Sequence, residues 1–327
     1  MTGLSDSFQR PINYLRISVT DRCNLHCTYC MPADGVPLMP HEDILSYEEI
    51  FTIVEAAAEM GIKKVRITGG EPLVRAGLPE LIKMLARIDA IDDISLTTNG
   101  MLLAHHAAEL KSAGLQRVNI SLDTLKPERF EQITRCGNLE DTLQGIEAAK
   151  SAGLTPVKIN VVVIAGVNDD EIPDFAARTV DEGWHVRFIE LMPVTGDDSV
   201  DSQFVSVSEM KQRLELMGKL EPCQVKVGNG PAKYFRLPDA KGTIGFITPV
   251  SEHFCFHCNR LRLTADGKLR PCLLNEGEID LRQPLRTGIS LTELKKLILE
   301  ATASKPRGHH LAEGNVPQDR PFSQVGG

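Results

Sequence analysis

Short apolar runs alternate with amphipathic stretches along residues 14–192. The runs at 14–19, 64–68, 94–98, 117–122, 157–164 and 186–190 are rich in Val, Ile and Leu, as strands buried on both faces tend to be. Helical patterns lie between them. The first opens at Ser46 with Glu49 three residues on, a capping-box signature, and others cover 78–88, 104–113, 139–152 and 171–182. Gly61, Gly114, Gly153 and Gly183 each follow a helical stretch and precede a strand, where helices commonly stop. This alternation predicts right-handed crossovers and a parallel sheet. The six strands are fewer than the eight of a closed barrel, so an α/β fold built as an open, partial parallel β/α barrel is expected. A doubly wound sheet shares the same pattern.

Beyond Pro193 the character changes. A loop at 196–199 and a helix at 206–217 lead into short strands broken by Gly and Pro over 222–275. A last amphipathic helix covers 291–303, and a polar tail ends at Gly326-Gly327. Two units are therefore expected: a core at 1–192 and a C-terminal region at 193–327.

The net charge of −8 argues against general nucleic-acid binding, which needs a basic face. No apolar run is long enough to cross a bilayer, and residues 1–10 lack the apolar core of a secretory signal. A cytoplasmic protein without membrane partners is expected. Its eight cysteines then read as thiols rather than as a disulfide framework. They are unevenly placed: Cys23, Cys27 and Cys30 form one set, Cys255, Cys258 and Cys272 another. Cys136 and Cys223 match no ligand position and read as incidental thiols.

The first set follows the first strand, and loops at the C-terminal ends of parallel strands are where such folds place chemistry. Three thiolates with no fourth local cysteine are informative. A structural zinc site closes with four protein ligands, whereas an iron–sulfur cluster on three cysteines leaves one iron open for a small molecule. Clustering alone leaves zinc open, with His26 or His41 as the fourth ligand. Polar residues recur at later strands and strand ends: Thr97, Asn99, Ser121, Asp123, Lys158, Asn160, Arg187, Glu190 and Met192. One pocket lining is the economical reading.

Cys23-x3-Cys27-x2-Cys30 with Tyr29 beside the last cysteine, followed by Gly69-Gly70-Glu71-Pro72, resembles the radical S-adenosylmethionine (radical SAM) superfamily. The resemblance implies a 4Fe–4S cluster whose open iron chelates the methionine moiety. One electron then releases a 5′-deoxyadenosyl radical. It also makes Gly70 and Glu71 candidates for the methionine amino group.

In the second set, Cys255-x2-Cys258-x13-Cys272, His253 or His257 could complete a zinc site. Arg260 and Arg262 alternate beside Cys258, so they share one face of a strand and can grip phosphate bidentately. Over essentially its whole length the chain resembles, within that superfamily, the GTP 3′,8-cyclase family, lyases that open molybdenum-cofactor biosynthesis. The resemblance rests on residues 21–32, 66–73, 254–263, 269–272 and the terminal Gly-Gly. It implies a second 4Fe–4S cluster meeting the guanine of GTP. It also implies a reaction: hydrogen is removed from ribose carbon 3′, that carbon bonds to carbon 8, and an electron and a proton complete (8S)-3′,8-cyclo-7,8-dihydroguanosine 5′-triphosphate. Carried across, Arg16, Arg66, Thr97, Lys158, Arg260, Leu261 and Arg262 match GTP positions. Tyr29, Gly70, Ser121 and Met192 match S-adenosylmethionine positions, and Gly326 and Gly327 match a tail that enters the active site. The implied partners are GTP, an external one-electron donor and the cyclic pyranopterin monophosphate synthase step that takes the product; a homodimer is compatible. The alternatives are another radical SAM enzyme with an auxiliary cluster, such as a peptide-modifying or sulfatase-maturing one, or a zinc-binding interaction protein.

Overall fold

The computed structural model describes residues 3–32, 34–193, 203–224, 230–309, 311 and 320–326. The apolar runs become β1 (Tyr14–Ser18), β2 (Lys64–Thr68), β3 (Asp93–Thr98), β4 (Arg117–Ser121), β5 (Lys158–Val163) and β6 (His185–Glu190). They pair in sequence order, all parallel. The crossovers carry α1 (Tyr47–Glu59), α2 (Leu78–Leu85), α3 (Leu103–Ala113), α4 (Pro127–Thr134), α5 (Leu139–Ser151) and α6 (Ile172–Asp181). The expected capping box forms at α1: Glu49 N donates to Ser46 Oγ at 3.1 Å, and Ser46 N to the Glu49 carboxylate at 2.8 Å. Helix α4 has no counterpart in the expected pattern, because only Phe130, Ile133 and Thr134 of its eight residues are buried.

The C-terminal region supplies α7 (Val207–Leu214), β7 (Glu221–Pro222), β8 (Lys233–Arg236), β9 (Thr243–Ile247), β10 (Arg260–Leu263), β11 (Lys268–Arg270) and β12 (Ile279–Asp280). It ends in α8 (Arg282–Arg286), α9 (Leu291–Ala303) and α10 (Phe322–Val325). Its strands extend the same sheet at both edges. β10 adds in parallel to β1 and β9 in parallel to β6, while β11–β12 and β8–β7 turn outward antiparallel. The order β12-β11-β10-β1-β2-β3-β4-β5-β6-β9-β8-β7 leaves the sheet open. Its parallel part thus includes β9 and β10 as well as the expected six strands.

The strands also differ from the both-faces-apolar expectation. Leu15, Ile17, Val65, Ile67, Leu96, Val118, Ile120, Ile159, Val186 and Phe188 join the core beneath the helices. The alternate positions are polar, and many are buried too: Arg66, Ser95, Arg117, Asn119, Lys158, Arg187 and Arg262. A row of charges enclosed on the inner face of an open barrel is costly unless something binds there. Among the described residues, no helix is long and apolar enough to cross a membrane.

Candidate active site

Parallel pairing aligns side chains across strands. Arg16 on β1 lies level with Arg262 on β10 and with Arg66 on β2, and all three point to the inner face. One step along, Thr97 is level with Asn119, which is level with Lys158. Asn160 is level with both Ser121 and Arg187. The expected phosphate cations therefore share the inner face in successive rows: Arg260 in the first, Arg16, Arg66 and Arg262 in the next, and Lys158 in the one after, with Arg187 a row beyond, a layer of charge drawn from five strands. Arg187 donates through Nη2 to Asn119 Oδ1 at 2.7 Å.

The electrostatics of this layer follow from crowding and burial. Burial, then Arg262 and Arg66, hold the Arg16 guanidinium well below its ordinary range. Burial, with Arg260 beside it, lowers Arg262 to about 10. Burial, with Arg187, Arg117 and Arg66 adding like charge, lowers the Lys158 ammonium to about 7. Among the described residues, the buried polar atoms here without a hydrogen-bond partner include Thr97 Oγ1, Asn160 Oδ1 and Arg187 Nε. Orphaned groups at the centre of a folded protein are the mark of a site that a polar ligand completes.

The first cysteine set follows β1, at the C-terminal end of the parallel strands. Gly70 lets β2 close beneath this loop: its N–H donates to Thr20 O at 2.8 Å, and a Cβ there would collide with the Arg22 carbonyl. Burial pushes the Cys23 thiol up to about 12 and Cys30 to about 11, with Asp123 adding to the rise at Cys30. Cys27 is also raised, by burial first and then by Asp123 and the neighbouring thiols. The three thiols therefore sit in one another's field, as ligands of a cationic centre would before it binds. Among the described residues, no three His, Cys, Asp or Glu side chains converge on a point fit for one metal ion. A cluster does not ask for that convergence, since each thiolate takes a different iron.

Neighbouring residues hold the loop. Tyr29 donates to Asp123 Oδ2 at 2.6 Å, and Asp123 Oδ1 accepts from Val162 N at 2.8 Å. The Glu71 carboxylate is buried and accepts from Leu73 N, Thr98 Oγ1 and Asn99 N at 2.7–3.0 Å. It thus fastens β3 to the glycine turn, an organising role that the motif alone does not reveal. Ser121 and Met192, at the ends of β4 and β6, are partly exposed on this rim. Cys136 is beside the set, with Sγ 3.5 Å from Asn24 O, while Cys223 is remote on the outer β7–β8 hairpin.

The second set lies at the opposite end. Cys255 and Cys258 precede β10, which is parallel to β1, and Cys272 follows the antiparallel β11. All three are therefore near the N-terminal mouth, where Asn259 meets Asn13. Five residues of β1 separate the mouths, about 17 Å at roughly 3.3 Å per residue. The charge environment differs from that of the first set. Burial raises the Cys258 thiol, but Arg260 and Lys305 outweigh it and bring it down to about 7. Arg260 also stacks over Phe254, 4.9 Å from the ring centroid. Leu261, level with Leu15, is turned into the apolar core, so its side chain does not line the pocket.

The tail reaches the first mouth. Gly326 O accepts from Arg262 Nη1, and a Cβ on Gly326 would collide with Thr68 Oγ1. Its φ of +67° is one that glycine adopts without strain. Gly327 is outside the described residues.

Residues 17–178 match the Radical SAM superfamily, and residues 184–311 match Molybdenum Cofactor Synthesis C. The chain is 54% identical to a GTP 3′,8-cyclase of Pelotomaculum thermopropionicum, covering 99% of this chain and 100% of that relative. It is 55% identical to a GTP 3′,8-cyclase of Moorella thermoacetica, with the same coverage of each. Among solved structures, Streptococcus suis SuiB bound to precursor peptide SuiA aligns with a TM-score of 0.62 at 13% identity. That match covers 91% of this chain and 66% of SuiB, just under two thirds, and shows a shared fold alone.

Proposed function

The chain belongs to the GTP 3′,8-cyclase family of the radical SAM superfamily, and from that membership we propose that it joins ribose carbon 3′ of GTP to guanine carbon 8, the first step of molybdenum-cofactor biosynthesis. Membership of the superfamily implies a 4Fe–4S cluster and S-adenosylmethionine. Cys23, Cys27 and Cys30 would hold that cluster. Bound there, it supplies the one-electron cleavage of S-adenosylmethionine that yields a 5′-deoxyadenosyl radical. Tyr29, Gly70, Ser121 and Met192 are the residues of this mouth that would border the cofactor, with Glu71 bracing the turn beneath it.

The single observation that carries the substrate reading is the buried cation layer between two three-cysteine sets. Arg262, Arg16 and Arg66 stand abreast, with Lys158 and Arg187 nearby, inside a protein of net charge −8. A triphosphate would neutralise them, and Thr97, Asn160 and Arg187 each offer a buried polar atom to the nucleoside. The layer fixes where the ribose stands relative to the first mouth, and enclosure keeps water and oxygen from the reacting carbon. Cys255, Cys258 and Cys272 would hold a second 4Fe–4S cluster at the guanine end. On this reading the division at 192/193 is one of role: residues 1–192 initiate, and residues 193–327 present the substrate and close over it. An external one-electron donor completes the reaction, and the product passes to the synthase step that makes cyclic pyranopterin monophosphate.

The test is an anaerobic incubation of dithionite-reduced enzyme with S-adenosylmethionine and GTP carrying deuterium at ribose carbon 3′. The reading expects deuterium in 5′-deoxyadenosine and a cyclised nucleotide. 5′-Deoxyadenosine without deuterium would remove the assignment of carbon 3′, and a colourless zinc protein would remove the radical reading altogether.

A further inference from the structure

Two buried cations support the second cysteine set without belonging to the substrate wall. Lys305, just beyond α9, is 3% exposed. Its Nζ donates to Arg260 O at 2.8 Å and to Pro271 O. Arg260 is two residues after Cys258 and Pro271 immediately precedes Cys272. One ammonium therefore staples together the two chain segments that carry these thiols. Burial lowers the Lys305 ammonium from its ordinary range, and the Cys258 and Cys272 thiols act against that lowering.

Arg10 does the corresponding work for the third cysteine. Its Nη1 donates to Cys255 O at 2.7 Å and Arg307 O at 3.0 Å, and its Nη2 to Pro306 O at 2.6 Å. Nε pairs with Asp6 at 2.5 Å, which locks the guanidinium in place. Arg10 thus ties the Cys255 carbonyl to residues 306–307, next to Lys305. A lysine ammonium in so enclosed a place is expensive unless negative charge comes to meet it. A cluster ligated by three thiolates brings that charge.

We propose that Lys305, seated by Arg10, is a positioning residue for the second cluster: it sets the spacing of the Cys258 and Cys272 segments and offsets the charge of the thiolate-bound iron. The proposal rests on the reading of that set as a 4Fe–4S site. Because Arg260 contributes one of the two carbonyls, the same ammonium links the cluster to the wall that meets GTP. A cation beside a cluster favours its reduced form, so losing the cation makes reduction harder.

The experiment uses the full chain with Cys23, Cys27 and Cys30 replaced by Ala, reconstituted anaerobically with ferrous iron and sulfide, so that only the second set can load. This background should hold about four irons per chain, and Lys305→Met should reduce that to below about one. Lys305→Arg, which keeps the charge, should retain the cluster with a midpoint potential near that of the parent. Any cluster left in Lys305→Met should show a more negative potential and an altered electron paramagnetic resonance spectrum. In the chain with the native first set, Lys305→Met should still load about four irons there, reporting an intact fold. No iron in the triple-Ala background overturns the second cluster and this proposal with it. A full cluster at unchanged potential in Lys305→Met overturns the role of Lys305 alone. Loss of both sets in Lys305→Met and Lys305→Arg alike would make the residue a general folding element and overturn the assignment.

Discussion

At the scale of single residues, the inner face is governed by like charges held close together. Arg16, Arg66 and Arg262 stand level on neighbouring strands, so an anion bound between them would relieve their mutual repulsion. Arg262→Ala or Arg16→Ala should weaken GTP binding by roughly 10- to 100-fold, the size of one lost charge-assisted contact. S-adenosylmethionine cleavage should persist, and equilibrium dialysis against labelled GTP reads the change; unaltered affinity would remove the phosphate role. Lys158, lowered to about 7 by burial and then by neighbouring cations, makes binding pH-dependent. A triphosphate favours the charged ammonium and raises its pKa, so above pH of about 7 GTP binding takes up a proton. Affinity should fall by up to about tenfold per pH unit from roughly 7.5 to 9. Lys158→Arg, charged throughout, should flatten that slope; an equal slope in the variant would point to another group.

At the scale of elements, the first cysteine loop depends on a segment with little signature of its own. At the C-terminal end of α4, Thr134 O and Ile133 O accept from His26 N and Thr28 N at 3.0 and 2.9 Å. Arg135 Nη1 donates to His26 O and Met31 O at 3.0 and 2.9 Å, which closes the loop from outside. Arg135 adopts φ +59°, a left-handed conformation that costs a side chain about 1 kcal/mol. Arg135→Gly relieves that cost while deleting both side-chain bonds. The expected outcome is an unchanged or slightly higher melting temperature, with iron retained by the first set at least halved. The measurement belongs in a chain whose Cys255, Cys258 and Cys272 are Ala, so that the second set does not mask the loss. Full retention there would show that the backbone ladder alone holds the loop.

Across the whole molecule, the boundary at 192/193 separates roles without separating sheets. β10 covers the β1 edge and β9 covers the β6 edge. A fragment of residues 1–192 would expose two long parallel edges and the charged inner face at once. It should aggregate, and residues 193–327 alone should lack stable structure. Circular dichroism and size-exclusion chromatography of the separate fragments check this. A folded, monomeric 1–192 would show that the edges tolerate water.

The chain's apolar periodicity was enough to predict the alternation of β1–β6 with helices, because each strand's core-facing positions and each helix stripe are local patterns. The cysteine spacings and the glycine turn after β2 were likewise legible, since ligand loops are short and contiguous. The polar inner face was only half legible. The family resemblance groups Arg16, Arg66 and Lys158 as phosphate cations, but their alignment depends on strand register, which no local segment encodes. The bracing roles of Glu71 and Arg135 are illegible for the same reason: Thr98, Asn99, Met31 and His26, which they hold, lie 27 to 109 residues away. The opposite placement of the two cysteine sets was decided by the tertiary structure alone. It follows from β10 pairing in parallel with β1 across some 245 residues, a long-range choice made by burying both sheet edges.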